Sequence, residues 1–305
     1  MNPALDRTIW VEEIRFDDTC RITREERYPG GKGIDVSRMI RTLGGESIAL
    51  GFLGGYTGIE LEGRLLNEGI PHDFIRIGGE TRTNIIVHSE DDEKELKVNA
   101  PGPEIEPIEL GLLVDKVREL KPRPTIAVIS GSIPPGLSPE IYAQLIFTFE
   151  NMGARVILDA DGESLRRGLA ATPYMIKPNR HELHRLMNKD FKDDTEMIKE
   201  ARGLLNADFK IVAISAGAEG IFIVTSEGGF RCIPPEVEIV NTVGSGDSAV
   251  AGIAFGLETG LSLEEATRLG VACGTATAMA DGTAKGQIEE IKGVLPRVKI
   301  EDLPG

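Results

Sequence analysis

The stretch Asn241-Thr-Val-Gly-Ser-Gly-Asp247-Ser-Ala-Val-Ala-Gly252 decides how this sequence is read. A β-type approach, residues 237–240, runs into the turn Gly244-Ser245-Gly246, and a helix-type pattern follows over 248–258. Glycines at a helix N-terminus let backbone N–H groups converge on an anion, and the helix dipole favours negative charge there. Asp247 sits in the first turn, beside that anion site. A carboxylate so placed can take a proton from an attacking hydroxyl. An ordinary dipole-compensating Asp would read the same way in isolation. The stretch is not a P-loop, because no G-x-x-x-x-G-K-[ST] occurs. Nor is it G-x-G-x-x-G, because Ala249 stands where the third glycine would fall.

The same strand-then-helix rhythm extends outward. Short runs rich in Ile, Val and Leu at 47–53, 125–130, 155–159 and 210–215 read as strands buried on both faces. Helix-type periodicity covers 34–43, 59–68, 139–152, 193–205, 248–258 and 263–279. Ser138 and Ser262 are expected N-caps, and Gly153 and Gly260 expected C′ glycines. This alternation predicts an α/β body on a mainly parallel sheet. Residues 8–28 and 72–98 break the rhythm. They read as strands and polar loops, with a charged turn at 90–95, and are expected to pair into a small antiparallel sheet of their own.

Composition narrows the function. The chain has 305 residues, with 34 basic and 49 acidic side chains and a formal charge of −15. It has no general attraction to nucleic acid or anionic membranes. Cys20, Cys232 and Cys273 lie far apart with no CxxC pair, which argues against a disulfide framework or a cysteine zinc site. No signal peptide and no run of 18 apolar residues is present, so a cytoplasmic protein is expected.

Two further clusters could carry chemistry. Gly30-Gly31-Lys32-Gly33 opens a helix and reads as a small-molecule site, because glycines crowding one lysine allow close backbone approach. Lys177-Pro178-Asn179-Arg180-His181-Glu182 follows a strand-like Met175-Ile176. Asn179 and Glu182 could serve magnesium through water. On spacing alone they form an N-cap with an N3 Glu. His181 and His184 lack a third ligand and read as exposed helix residues.

Taken together these residues resemble the ribokinase-like (pfkB) carbohydrate kinase family, and within it the phosphofructokinase, fructose-1-phosphate kinase and tagatose-6-phosphate kinase branch. The resemblance runs in order through Asn2-Pro-Ala-Leu-Asp6, Gly30–Ser37, Gly51–Gly55, Thr81-Arg82, Ser130–Gly136, Lys177–Asn179, Ser215–Gly220 and Thr242–Asp247. It implies a ribokinase-like doubly wound α/β fold with a mainly parallel sheet and a small β-sheet lid. The body is expected at 1–7, 29–70 and 100–305, and the lid at 8–28 and 71–99.

The resemblance also implies transfer of the ATP γ-phosphoryl group to a phosphorylated ketohexose, with Mg2+ and room for a monovalent cation, in a homodimer joined through the lids. Fructose 1-phosphate is the expected substrate. Fructose 6-phosphate and tagatose 6-phosphate are the alternatives, and a non-catalytic sugar-phosphate sensor is a distant one.

By resemblance, Asp247 is the catalytic base and Gly244, Ser245 and Gly246 the anion hole. Ser215, Ala216, Gly217, Ala218, Glu219 and Gly220 form the nucleotide-phosphate loop, with Lys177, Asn179 and Gly246 nearby. Asn179 and Glu182 answer to the family's magnesium motif. Asp6, Gly31, Gly33, Asp35 and Ser132 are sugar contacts, and Arg82, Lys32 and Arg21 meet the phosphate already on the sugar. Asp35 stands where the family has Asn, an acceptor-only carboxylate in place of an amide. Ser245 stands where Ala is commoner. The family also carries an apolar strand ahead of N-P-x-x-D. Either a central sheet is one member short here, or the start lies further upstream.

Overall fold

The computed structural model describes residues 1–91, 94–206, 209–280 and 286–303. In chain order, β1 (Ala4–Val11) and β2 (Ile22–Gly30) precede α1 (Lys32–Thr42), β3 (Phe52–Gly54) and α2 (Gly55–Asn67). Next come β4 (Ile75–Ile77), β5 (Arg82–Ser89), β6 (Glu95–Val98), α3 (Pro107–Glu119), β7 (Ile126–Ser130) and α4 (Ile141–Asn151). They are followed by β8 (Arg155–Asp159), α5 (Gly162–Leu169), β9 (Met175–Ile176), α6 (Arg180–Met187) and α7 (Asp194–Gly203). The rest are β10 (Ile211–Ser215), β11 (Ile221–Val224), β12 (Gly229–Ile233), α8 (Ser245–Glu258), α9 (Leu263–Met279), α10 (Ile288–Val294) and β13 (Lys299–Asp302).

The main sheet has the order β13-β12-β11-β10-β9-β8-β7. Its β7–β10 half is parallel and its β10–β13 half antiparallel. The parallel strands bear apolar side chains on both faces because helices cover both. On one face α1, α8, α9 and α10 bury Met39, Val250, Ala272 and Ile291. On the other, α3 to α7 bury Val117, Ile146, Leu165, Leu183 and Ile198. This is the doubly wound α/β architecture. Ser262 caps α9 in a reciprocal pair with Glu265, and Gly153 and Gly260 end their helices at positive φ. No helix among the described residues is long and apolar enough to cross a membrane.

The small sheet has the order β2-β1-β5-β6. Its central pair, β1 with β5, is parallel rather than antiparallel. Both strands leave the body side by side, Ala4 opposite Arg82, and run outward together. The sheet's bounds also differ from those expected. β1 enters it at residue 4 and β2 stays in it to residue 30. β4, inside 71–99, pairs instead with β3 of the body. Residues 92 and 93 of the expected charged turn lie outside the described residues.

Three local expectations fail for physical reasons. Residues 237–240 form no strand. The N–H groups of Val240 and Asn241 instead donate to the Ala278 carbonyl at 2.8 and 3.1 Å, so the approach to α8 hangs on the end of α9. Ser138 does not cap α4, which opens after Glu140. The strand expected over 47–53 shrinks to β3, with one isolated bridge from Ala49 to His72.

Candidate active site

Three backbone ends meet where β1, β2 and α1 join. A Cβ on Gly30 would lie 2.1 Å from Asp6 Oδ2, so only glycine leaves room for that carboxylate. Asp6 Oδ1 accepts a 2.8 Å bond from Asn84 Nδ2 on β5. Burial raises the Asp6 pKa, against the lowering effects of Asn84, Arg82 and Arg38. Asp35, on the first turn of α1, is buried, and its Oδ1 has no hydrogen-bond partner among the described residues. Arg38 Nη1 stands 3.6 Å away. Burial first, and the Asp247 charge second, push the Asp35 carboxyl well above the ordinary range.

Asp247 enters from α8. Gly244, at φ 80°, is the N-cap that turns the chain into the helix. The buried 2.8 Å bond from Thr277 Oγ1 to Ser248 Oγ pins that first turn to α9. The Ser245 N–H is spent on the Thr242 carbonyl at 3.2 Å, so it does not serve the expected anion hole. Those of Gly246 and Asp247 remain as first-turn donors without intrahelical partners. Asp247 is 8% exposed, and its carboxyl pKa is pushed up to about 7. Burial is the largest cause and the Asp159 charge the next; Lys32 and Lys177 pull the other way.

Asp159, at the end of β8, escaped the sequence reading. It is 1% exposed, and its Oδ1 holds Lys32 Nζ at 3.3 Å and Lys177 Nζ at 3.5 Å. An acidic residue closing a run of Val-Ile-Leu was the available signal, since a buried carboxylate demands a partner. Asn84 and Lys97, which also line the cavity, were missed in the same way. Each lies on a lid strand whose register was not readable from its sequence.

The cations divide differently from the expectation. Lys32 faces the Asp159 and Asp247 side, where those charges and that of Glu182 raise its pKa despite desolvation. Arg82 lines the cavity, but its Nη1 and Nη2 donate to the carbonyls of Ala100 and Asn2, both at 2.9 Å. Its buried Nε is left without a partner among the described residues. Arg21 is exposed ahead of β2, whose other end, Gly30, is the end at the site. The nine residues of β2 span roughly 30 Å, so this chain's fold does not bring its own Arg21 to the site. Gly31, Gly33 and Ser132 all line the cavity, and Ser132 Oγ accepts from Asn2 Nδ2 at 3.1 Å.

On the neighbouring side, an isolated bridge joins Asn179 to Ser215. That brings Lys177 and Asn179 against the turn Ser215–Gly220. Within the turn Ala216 N–H bonds the Gly220 carbonyl and Glu219 N–H the Ala216 carbonyl, while those of Gly217 and Ala218 make no backbone bond among the described residues. The Glu219 side chain is held by Arg180 and Arg231, so only its backbone can serve an anion. Asn179 and Glu182 form a reciprocal capping box, with both bonds at 2.8 Å. That occupies Asn179 Oδ1 and Glu182 Oε2. The second Glu182 oxygen takes no part in the box, and Glu182 lines the cavity. One carboxylate acting through water suits magnesium that arrives with nucleotide phosphates. No cluster of three His, Cys, Asp or Glu among the described residues could hold a metal by itself.

Asp6, Lys32, Asp35, Arg82, Glu182 and Asp247 line a cavity of about 2050 Å³ under the lid. One buried carboxyl near neutrality, two first-turn N–H donors and two lysines converge beside a phosphate-type turn. That constellation defines a phosphotransferase acting on a hydroxyl. The sequence pattern described as the pfkB family carbohydrate kinase matches residues 3–290, and the chain belongs to that family. It is thus a carbohydrate kinase, and kinases of this family use ATP with Mg2+.

A 1-phosphofructokinase of Borreliella burgdorferi is 36% identical over 99% of this chain and 97% of its own length. The ATP-dependent 6-phosphofructokinase isozyme 2 of Escherichia coli is 36% identical over 92% and 91%. The crystal structure of Escherichia coli phosphofructokinase-2 in complex with potassium superposes with a TM-score of 0.92 at 34% identity. It covers 97% of this chain and 96% of that one.

Proposed function

We propose that this protein phosphorylates fructose 1-phosphate to fructose 1,6-bisphosphate, with fructose 6-phosphate and tagatose 6-phosphate as the competing substrates. The observation that carries a kinase reading is Asp247. It is buried against α8's open N–H groups, in the same cavity as the hydroxyl-binding groups Asp6, Asp35 and Asn84. The Borreliella relative favours the 1-phosphate.

In this reading Asp6, Asn84 and Asp35 orient the sugar hydroxyls, and Gly31 and Gly33 let the ring approach the backbone. Arg82 Nε and Lys97 meet the phosphate already on the sugar. Asp247 accepts the proton of the attacking hydroxyl. Lys32, Lys177 and the Gly246 and Asp247 N–H groups stabilise charge on the moving phosphoryl group. The turn Ser215–Gly220 holds the remaining nucleotide phosphates. Magnesium, held through water at Glu182, supplies further charge neutralisation when bound with ATP. A monovalent cation is a further component, by analogy with the potassium complex of the E. coli enzyme. Replacing potassium with a bulky organic cation should then slow turnover. The reaction is assigned to the cytoplasm.

A coupled ADP-release assay over a panel of phosphorylated ketohexoses tests the proposal. The highest kcat/KM is expected for fructose 1-phosphate. No sugar-dependent ADP release with any of them would leave the sensor reading standing instead.

Arg82→Ala is expected to act on two scales. Losing two bonds to carbonyls and one cation lowers the melting temperature, and it raises the KM for the phosphosugar about tenfold or more, with the KM for ATP little changed. Equal effects on both substrates would confine Arg82 to tying Asn2 to Ala100.

The lid is proposed to pair with a second lid in a homodimer. β6 is exposed along its whole length, including Leu96 and Val98, and Ile22 stands exposed on the edge strand β2. An open sheet of that kind is unstable alone in water. A light-scattering mass near 33.0 kDa at micromolar concentration would count against the dimer.

A further inference from the structure

The two ends of the turn Ser215–Gly220 are fixed by backbone alone. Ser215 N–H donates to the Pro178 carbonyl at 3.0 Å, and Ala216 N–H to the Gly220 carbonyl at 2.8 Å. Gly220, at φ 91°, stands so close to β12 that a Cβ there would meet the Cys232 carbonyl oxygen at 1.9 Å. The tip, Gly217-Ala218-Glu219, carries the two N–H groups that make no backbone bond among the described residues.

That tip is held by charged side chains from outside the turn. Arg231, on β12, donates from Nε to the Glu219 carbonyl at 2.7 Å, and its Nη2 stands 3.6 Å from Glu219 Oε2. Arg180, the first residue of α6, donates from Nη2 to the same Oε2 and from Nη1 to Asp194, the first residue of α7. Both guanidinium groups lie over the ring of Phe222 on β11, at 5.3 and 4.7 Å from its centroid, and Phe222 is 2% exposed. A planar guanidinium stacked on a fixed aromatic face presents its donors in one orientation. An isolated exposed ion pair is worth little, but a network with a backbone contact and a buried platform holds one geometry.

Closing the turn does not require this network, because the backbone already does so. A lone carboxylate beside two free N–H groups would also repel the anion that those groups suit. Two arginines on one carboxylate cancel that charge and tie the tip to the helix start that bears Asn179. None of the three residues lines the cavity that holds the acceptor groups.

On the reading of Ser215–Gly220 as the nucleotide-phosphate turn, on which this rests, we propose that Arg180, Arg231 and Glu219 form a clamp for ATP. The clamp fixes the tip so that the Gly217 and Ala218 N–H groups are preorganised for a nucleotide phosphate. The three side chains act through the backbone of the tip, so they are positioning residues. ATP affinity then depends on an ion-pair network that the sugar never meets.

The test reads the KM values for ATP and for the phosphosugar, and the dissociation constant of Mg-ATP by calorimetry without sugar. Glu219→Ala and Arg231→Ala are each expected to weaken ATP binding about three- to tenfold, with the phosphosugar KM unchanged within about twofold. The double variant should be no worse than the worse single one, because both changes break the same contact. Arg231→Lys keeps the cation but cannot serve carbonyl and carboxylate together, so it should fall between wild type and Arg231→Ala. If Arg231→Ala does not fold, Arg231→Lys and Glu219→Ala carry the test. Tighter ATP binding in Glu219→Ala would overturn the clamp, since the glutamate would then only repel the nucleotide. Additive losses in the double variant, or a phosphosugar KM that moves with that for ATP, would overturn it too. So would a lower melting temperature with ATP binding intact, the mark of a merely structural network. Ala218→Pro separates the clamp from the turn, because it removes one of the two N–H groups. Weaker ATP binding in Ala218→Pro beside unaltered binding in Glu219→Ala overturns the clamp and leaves the turn as the nucleotide site. Unaltered binding in both overturns the turn reading and the clamp with it.

Discussion

Asp247→Asn is expected to lose activity and gain stability together, in a pH-dependent way. Asn keeps the size and polarity of the side chain but cannot accept the hydroxyl proton, so kcat should fall about 10²–10⁴-fold with a smaller change in KM. In the wild type, kcat/KM should rise with pH through about 7, because the base works only when ionised and burial, reinforced by Asp159, holds its pKa there.

The stability effect has the opposite sign. The pKa is raised from 3.8 in the unfolded chain to about 7 in the fold. Below about pH 3 the carboxyl is neutral in both states and costs nothing. As pH rises towards 7 the unfolded chain loses this proton and the folded one keeps it, so stability drains away, and the loss is complete above the folded pKa. At 1.36 kcal/mol per unit the penalty is on the order of 4 kcal/mol. The variant should therefore melt several degrees above wild type at pH 8 and level with it near pH 3. A capping aspartate predicts the reverse, a small loss of stability with turnover intact. Wild-type kcat within tenfold, or a lower melting point at pH 8, would remove Asp247 from the chemistry.

Asp159→Ala is expected to be the most destabilising single change at the site. Its carboxylate is the shared partner of Lys32 and Lys177, and the Lys177 side chain is only 5% exposed. Removing one partner of a buried pair leaves an uncompensated charge and costs about 3–5 kcal/mol. That corresponds to a fall in melting temperature on the order of 10 °C. Asp159→Asn should be milder and more informative. Asp159 is the second cause of the raised Asp247 pKa, so losing its charge should move the acid limb of the kcat/KM profile to lower pH. A merely structural residue would change the melting point and leave that limb in place. An unmoved limb together with an unchanged melting point would dismiss Asp159 as a positioning residue.

The candidate site was partly legible before any fold existed, because some of its parts are local. The turn 244–247, the turn 215–220 and the lysine-bearing turn 30–33 are each a short glycine pattern at a strand end or helix start, where backbone geometry dictates residue type. The helix 263–279 was readable to its ends because its Ser262 cap, its apolar stripe and Gly260 before it are all short-range signals.

Other features depend on neighbours distant in sequence, and only the tertiary structure decided them. Residues 237–240 look like a strand but find no partner strand, and hang instead on the Ala278 carbonyl. β1 runs parallel to β5 because both leave the body at one point. Arg21 and Arg82 are equally cationic in sequence, yet the length of β2 carries one away from the site while carbonyls hold the other within it. Asp159 pairs with lysines 127 and 18 residues away, and Asp247 acquires a pKa near neutrality from burial and from the Asp159 charge. Charge and periodicity are properties of the chain. Desolvation and pairing across the sheet arise only once distant segments exclude water between them.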